Sequence, residues 1–100
     1  MDSEFEHLSL EFTRKAQKLF TFTFENFRDS IKGLNRRKDE NVFQLQVAKF
    51  LATLKKQLES IAQDLISKNQ HWKNIDKYNK VLKDNIDLYL NEFRQKSRSI

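Results

Sequence analysis

Residues that interrupt helices are almost absent from this chain. Among its 100 residues there is no proline, and Gly33 is the single glycine. Helix interiors exclude both residues, because proline lacks the backbone donor and glycine costs backbone entropy, whereas turn-rich β folds use them repeatedly. The sequence therefore predicts an all-α protein with short connections. Its hydrophobic fraction of 38% suffices for one modest core in a single domain over 1–100.

The first third of the chain carries one apolar stripe with steps of three and four residues, the spacing of a helix face. Within it, residues 20–24 alternate phenylalanine and threonine as a strand would, but a lone five-residue strand without a partner is unstable. We therefore predict a helix over about 3–34 with Phe22 pointing outward. The stripe consists of Phe5, Leu8, Phe12, Ala16, Leu19, Phe20, Phe24, Phe27, Ile31 and Leu34.

The stretch around Gly33 predicts where this helix ends. Glycine and asparagine tolerate the left-handed backbone that commonly follows a helix, and both occur in Gly33-Leu34-Asn35. Asp39, or alternatively Asn41, is then the predicted N-cap of a second helix.

Two further apolar stretches follow, one from Phe43 to Leu65 and one from Trp72 to Phe93. A seven-residue register recurs within them, which indicates helix-on-helix packing of the coiled-coil kind. The members of this register are Val47, Leu54, Ile61, Ile75, Leu82 and Tyr89.

The polar run over 67–71 leaves two arrangements open. As a turn, it separates helices over about 39–66 and 70–97, and the fold is an antiparallel bundle or coiled coil of three long amphipathic helices. As part of a helix, it gives a two-helix hairpin whose second helix spans roughly 85 Å and which completes its core by oligomerising. The three-helix arrangement is favoured because it is the more compact.

No catalytic signature is present. His7 and His71 are the only histidines and there is no cysteine, so the ligand spacings of zinc sites are missing. There is also no glycine-rich phosphate loop and no nucleophile elbow. Acidic residues instead alternate with lysines at helix spacings, as in Asp76 and Lys80, which predicts surface ion pairs. We expect that the protein is not an enzyme and uses no cofactor or metal.

The net charge of +5 is unevenly spread, and residues 13–38 carry eight basic against two acidic side chains. Such clusters are candidate contacts for phosphates or other anions. Nucleic acid is the less favoured partner, because the aromatic residues that would stack on bases lie mainly on the apolar stripes. The candidate anion contacts are Arg36, Arg37 and Lys38 at the helix junction and Lys73, Lys77 and Lys80 further along.

No window approaches the roughly 20 apolar residues that a membrane-spanning helix needs. The acidic beginning, Met-Asp-Ser-Glu-Phe-Glu, also differs from the positively charged start of a signal peptide. The sequence therefore predicts a cytoplasmic protein without a transmembrane segment.

A few apolar residues lie off the helical stripes. Single exposed apolar residues are common, but several of them on long amphipathic helices predict a second packing surface. That surface would meet another copy of the chain, a partner helix or an apolar surface. Its candidate residues are Phe22, Leu45, Ile66, Val81 and Leu88.

Residues 12–66 resemble the phasins, small helical proteins that coat polyhydroxyalkanoate granules in bacteria. The resemblance rests on an aromatic-containing first helix from Phe12 to Leu34, a junction with Lys38-Asp39, and a second helix that begins with Gln44-Leu45-Gln46-Val47 and continues to Ile66. It implies that amphipathic helices adsorb to a hydrophobic granule surface.

Together these features predict a non-catalytic helical interaction or structural protein that self-associates or coats an apolar surface. The alternatives are an adaptor subunit that pairs with a partner helix in a larger complex, and a basic protein that binds nucleic acid non-specifically.

Overall fold

The computed structural model describes residues 3–70 and 73–100, with side chains from residue 5 onward, and contains three α-helices and no strand within these ranges. Helix α1 spans Ser3–Ser30, α2 spans Glu40–Lys68 and α3 spans Ile75–Arg98. The prediction of an all-α, three-helix protein is confirmed. The alternating segment around Phe22 is helical, as expected.

The helices form an up-down-up bundle. α1 and α3 run parallel, since the rings of Phe5 and Tyr78 meet near their first turns and those of Phe24 and Phe93 meet near their last turns. α2 runs back between them, and the molecule is a thin rod with extents of 54 × 18 × 17 Å.

The break between α2 and α3 excludes the two-helix hairpin. α2 ends at Lys68, where Asn69 donates from its side-chain amide to the carbonyl oxygen of Leu65 at 2.7 Å and from its backbone N–H to Ile66. An asparagine can therefore close a helix end here without glycine or proline. His71 and Trp72 lie outside the described residues.

The junction between α1 and α2 contains the predicted glycine turn, but α1 ends earlier than predicted and Asp39 has a different role. α1 ends at Ser30, four residues before the predicted end, and Gly33 takes a left-handed φ of 85°. Asp39 precedes α2 but makes no side-chain hydrogen bond to the first turn of that helix. Its carboxylate instead accepts the N–H of Asn35 at 2.9 Å, so Asp39 stabilises the connecting turn.

Aromatic rings fill the core at the junction end of the rod. Phe27 is fully buried, and its ring contacts rings on all three helices. Each such aromatic pair adds about 0.5–1.5 kcal/mol beyond its buried area. Neighbouring ring centroids in this cluster lie 5.4–6.2 Å apart, and its members are Phe20, Phe24, Phe27, Phe43, Phe50, Tyr89 and Phe93.

The members of the predicted seven-residue register all lie in the core or against it. Val47, Leu54 and Leu82 are buried. Ile61, Ile75 and Tyr89 are half-buried and pack against the core residues. The register therefore lies on the inner side of the bundle.

Ion pairs within the described residues join side chains three or four residues apart, for example Lys68–Asp64 at 3.1 Å and Lys15–Glu11 at 3.6 Å. The predicted pair Asp76–Lys80 does not come within 4 Å. Exposed pairs of this kind each contribute only about 0.3–0.5 kcal/mol, so the core determines the stability of the bundle.

Candidate protein-interaction surfaces

Three of the five apolar residues predicted to face outward do so. Phe22, Leu45 and Leu88 are 64%, 68% and 65% exposed, respectively. Val81 is half-buried. The prediction for Ile66 is wrong, because this residue is buried in the core. The buried face of α2 broadens in its last two turns, so it includes Ala62 and both members of the adjacent pair Leu65 and Ile66.

Leu10 is a further exposed apolar residue, not among the predicted ones, and is 70% exposed. It lies on α1 beside His7, Glu11 and Arg14 around a shallow surface depression. The helical spacing of apolar residues could have identified Leu10, because it lies off the apolar stripe of α1, as Phe22 does. Val42 and Ile100 are also exposed.

A groove runs between the parallel helices α1 and α3, which approach each other less closely than either approaches α2. Aromatic rings lie between them, as with Phe12 and Tyr89 at a centroid distance of 6.5 Å. Two surface cavities lie along this line. One, of about 310 Å³, is lined by Phe5, Asn74, Lys77, Tyr78 and Val81, and the next, of about 280 Å³, by Ser9, Thr13, Asn85, Leu88, Tyr89 and Glu92.

Both cavities are lined by residues of α1 and α3, and we call the surface that carries them the α1/α3 groove. Val81 and Leu88 are seven residues apart and therefore share a face of α3, so each lines one of the two cavities. The structure thus brings together two of the predicted interaction residues. It does not add Phe22, which lies in a shallow depression among Gln17, Lys18, Thr21 and Glu25. Leu45 lies on α2, outside this groove.

Tyr89 makes the floor of the α1/α3 groove neutral. Burial raises the pKa of its phenol above the ordinary value, and the nearby Glu92 carboxylate raises it further, while a hydrogen bond with Thr13 partly opposes both effects. The phenol is therefore uncharged at physiological pH and presents an apolar ring with one polar end.

The predicted anion contacts fall into two separate groups. Lys73, Lys77 and Lys80 lie at the beginning of α3, whereas the junction residues Arg36, Arg37 and Lys38 lie at the opposite end of the 54 Å rod. The bundle therefore does not join them into one surface.

The structure adds two arginines to the junction end that sequence reasoning missed. Arg94 and Arg98, in the last turns of α3, lie opposite the first turns of α2 and line a cavity of about 260 Å³ with them. Only the fold could place them near the junction, since they are more than fifty residues away from it along the chain.

Arg36 is held in place by three contacts. Its guanidinium lies 3.9 Å from the centroid of the Phe43 ring, and it donates to the Ile100 carbonyl oxygen at 2.8 Å and to the Glu40 carboxylate at 3.2 Å. Hydrogen bonds from Gln44, first, and from Arg36 lower the pKa of Glu40 below its ordinary value. Arg36 thus connects the junction to the end of α3.

Within residues 3–70 and 73–100, no group of three histidine, cysteine or acidic side chains is placed to hold a metal ion. None of the helices in these ranges is long and apolar enough to cross a membrane.

Comparison of the chain with models of known protein families, with curated protein sequences and with solved structures finds no match. The resemblance to phasins stays a prediction.

Proposed function

We propose that this protein is a non-catalytic interaction module whose α1/α3 groove binds an amphipathic helix of a partner protein. The observation that carries the proposal is Leu88, a large apolar side chain that is 65% exposed beside an aromatic-floored groove. Exposed apolar surface next to a concave groove is typical of protein-interaction sites.

The length of the α1/α3 groove suits a helix. From Tyr78 to Glu92 it follows fifteen residues of α3, whose fourteen steps of 1.5 Å span about 21 Å. That distance accommodates four helical turns, and a docking helix would place its apolar residues at i, i+4, i+7 and i+11 over the two cavities. The occupant would then complete a four-helix bundle.

The polar residues of the groove would orient such a helix. Lys77 lies at one end and Glu92 at the other, while the walls between them carry neutral Ser9, Thr13 and Asn85. Opposite charges at the two ends favour one direction of an asymmetric occupant over the other.

Coating of an apolar granule is less well supported for the folded bundle. Phe22, Leu45 and Leu88 are similarly exposed but are distributed one to each helix. An adsorbed form would have to open the bundle and present the apolar stripes to the surface.

A matched pair of variants tests the proposal. A photo-crosslinking amino acid at position 88, introduced in cells that naturally produce the protein, would identify the contacting segment of the partner, and that segment would be synthesised as a labelled peptide. We expect Leu88→Glu to weaken peptide binding at least about tenfold, since burying an unpaired carboxylate costs more than about 1.4 kcal/mol. Phe22→Glu, which alters an equally exposed apolar residue outside the groove, should leave the affinity within about twofold.

An equal loss of peptide affinity in both variants, or no loss of affinity in either, would contradict the proposal. If the crosslinked segment comes from a second copy of the chain, sedimentation should show a concentration-dependent dimer that Leu88→Glu dissociates. In that case the partner helix is the protein's own.

A further inference from the structure

We infer that the cleft between α2 and the end of α3 is a second docking site, which takes an acidic amphipathic segment of a partner protein. We call this cleft the basic groove. It is a separate surface from the α1/α3 groove, so the inference does not depend on the proposed function. Its lining consists of Phe43, Gln44, Val47, Ala48, Leu51, Arg94, Ser97 and Arg98.

The basic groove has positive walls and no carboxylate among the residues that line it. Arg94 donates from Nη1 to the neutral side-chain oxygen of Asn91 at 2.9 Å and forms no ion pair with residues 3–70 or 73–100. Arg98 has no carboxylate within 4 Å among the described residues. Within the part of the chain that the structure describes, neither of the two guanidinium groups that line this cleft is therefore paired with an acidic side chain.

The wider surroundings reinforce the positive potential. Residues 28–40 and 92–100 together carry eight lysines and arginines against four acidic residues, so most of the net charge of +5 lies at this end of the rod. A field of this kind attracts anionic partners and raises their association rates.

The floor of the basic groove is apolar and distinguishes between kinds of anion. Val47, Ala48 and Leu51 of α2 line it together with the arginines of α3. A bare phosphate has no apolar group with which to cover them. Nucleic acid would use exposed aromatic rings for stacking, but Phe43, the one aromatic residue of the groove, is 1% exposed and lies under the Arg36 guanidinium. A peptide that carries both carboxylates and aliphatic side chains matches both parts of the surface.

The spacing of the arginines predicts the form of that peptide. Arg94 and Arg98 are four residues apart on one helix face, roughly 6 Å between their Cβ atoms. Guanidinium groups bind carboxylates through paired hydrogen bonds. Glutamates three or four residues apart on a helical segment present carboxylates at a similar distance, with leucines on the adjacent face directed at Val47 and Leu51.

The probe for a test is a fluorescent helical peptide of about 18 residues, or five turns, with leucine on one face and glutamate elsewhere. Binding is measured by fluorescence anisotropy at low and high salt. We expect the double substitution Arg94→Gln, Arg98→Gln to weaken binding at least tenfold, and Leu51→Gln to weaken it several-fold. Circular dichroism checks that the variants remain helical, which we expect because both arginines are exposed.

The matched control removes the same amount of charge from another face of α2. Lys49 and Lys56 are exposed and lie four and eleven residues after Leu45, which places them on the outer face of that helix. Lys49→Gln, Lys56→Gln should leave the affinity within about twofold. The inference would be overturned if this control lost as much affinity as the double arginine variant, or if the acidic peptide did not bind measurably.

Two competing probes separate the alternatives. A peptide with glutamine in place of every glutamate should bind at least tenfold more weakly, and equal binding would show that the arginines are not recognised. A short single-stranded DNA that bound more tightly than the acidic peptide and displaced it would make the groove a nucleic-acid site and overturn the proposal.

Discussion

Phe22 and Phe27 are only five residues apart on α1, yet their surroundings are opposite. Phe27 is fully buried among rings from all three helices, whereas Phe22 is 64% exposed. Burial therefore assigns different roles to two identical side chains in the same aromatic stretch. Phe27 belongs to the centre of the bundle, and Phe22 contributes little to it.

Truncation of these two residues should have very different effects on stability. We expect Phe27→Ala to lower the free energy of unfolding by about 3–5 kcal/mol, because it removes a large buried ring and leaves a cavity. Phe22→Ala should change it by less than about 0.5 kcal/mol. Urea unfolding followed by circular dichroism measures both, and a comparable loss in the two variants would mean that Phe22 is packed in the folded chain.

Tyr89 gives stability a defined dependence on pH. Burial first, and then the Glu92 carboxylate, raise the pKa of its phenol. The folded state therefore holds the proton more tightly than the unfolded state, whose pKa is about 10. The resulting stabilisation is complete below pH 10 and is lost as the pH rises through the raised value.

Removal of the hydroxyl should remove that dependence. We expect the free energy of unfolding to fall between pH 9 and pH 11 more steeply for the wild type than for Tyr89→Phe. The quantity to compare is the change in the free energy of unfolding between pH 9 and pH 11. Its absolute value is less informative, since the loss of the hydrogen bond with Thr13 affects the variant at every pH. Parallel curves for the two proteins would contradict the expectation.

At the scale of the elements, the helix ends determine how the apolar stripes are divided. Gly33 ends the junction turn after α1 with a left-handed backbone, and Asn69 closes α2 by donating to Leu65. Both ends use local chemistry that satisfies backbone groups without proline. The position of each break therefore decides which stripe packs against which.

Substitution of Gly33 tests the first of these ends. We expect Gly33→Ala to lower the free energy of unfolding by about 1 kcal/mol, because a side chain disfavours the left-handed backbone. The cost is conformational, since no atom lies within 4 Å of a Cβ built at this position. Gly33→Asn should cost less, because asparagine tolerates this backbone better. Equal losses from alanine and asparagine in urea unfolding would show that the backbone conformation is not the cause.

At the scale of the whole molecule, the bundle is longer than an ordinary domain of its size. Its radius of gyration is 16.1 Å, whereas a compact chain of 100 residues has about 13 Å. Three long helices and short connections produce this rod. As a result, the two basic groups lie at opposite ends.

Small-angle X-ray scattering distinguishes this rod from the extended hairpin. The folded monomer should show a radius of gyration of about 16–17 Å, slightly above the Cα value because hydration adds to it. A continuous helix from 40 to 98 would instead reach roughly 88 Å. Scattering from a particle of that length at low concentration would overturn the three-helix fold.

Local rules predicted much of this fold from the sequence. The spacing of apolar residues placed Phe12, Phe27 and Leu54 in the core, and the chemistry of Gly33 placed the first connection. Phe22 was also predicted correctly, because helical geometry alone directs it away from the stripe. The seven-residue register also pointed to the core, but only packing decided that Val47 and Leu54 are buried while Ile61 is half-buried.

What the sequence by itself determined is therefore the helical class of the protein, its apolar stripes and the outward direction of residues such as Phe22. The tertiary structure alone decided that Ile66 is buried, that Val81 and Leu88 line one groove, and that Arg94 and Arg98 face the beginning of α2. The physical reason is that periodicity is a property of one helix. Grooves and charge clusters arise between helices, from how far apart bulky side chains hold them and where each helix ends.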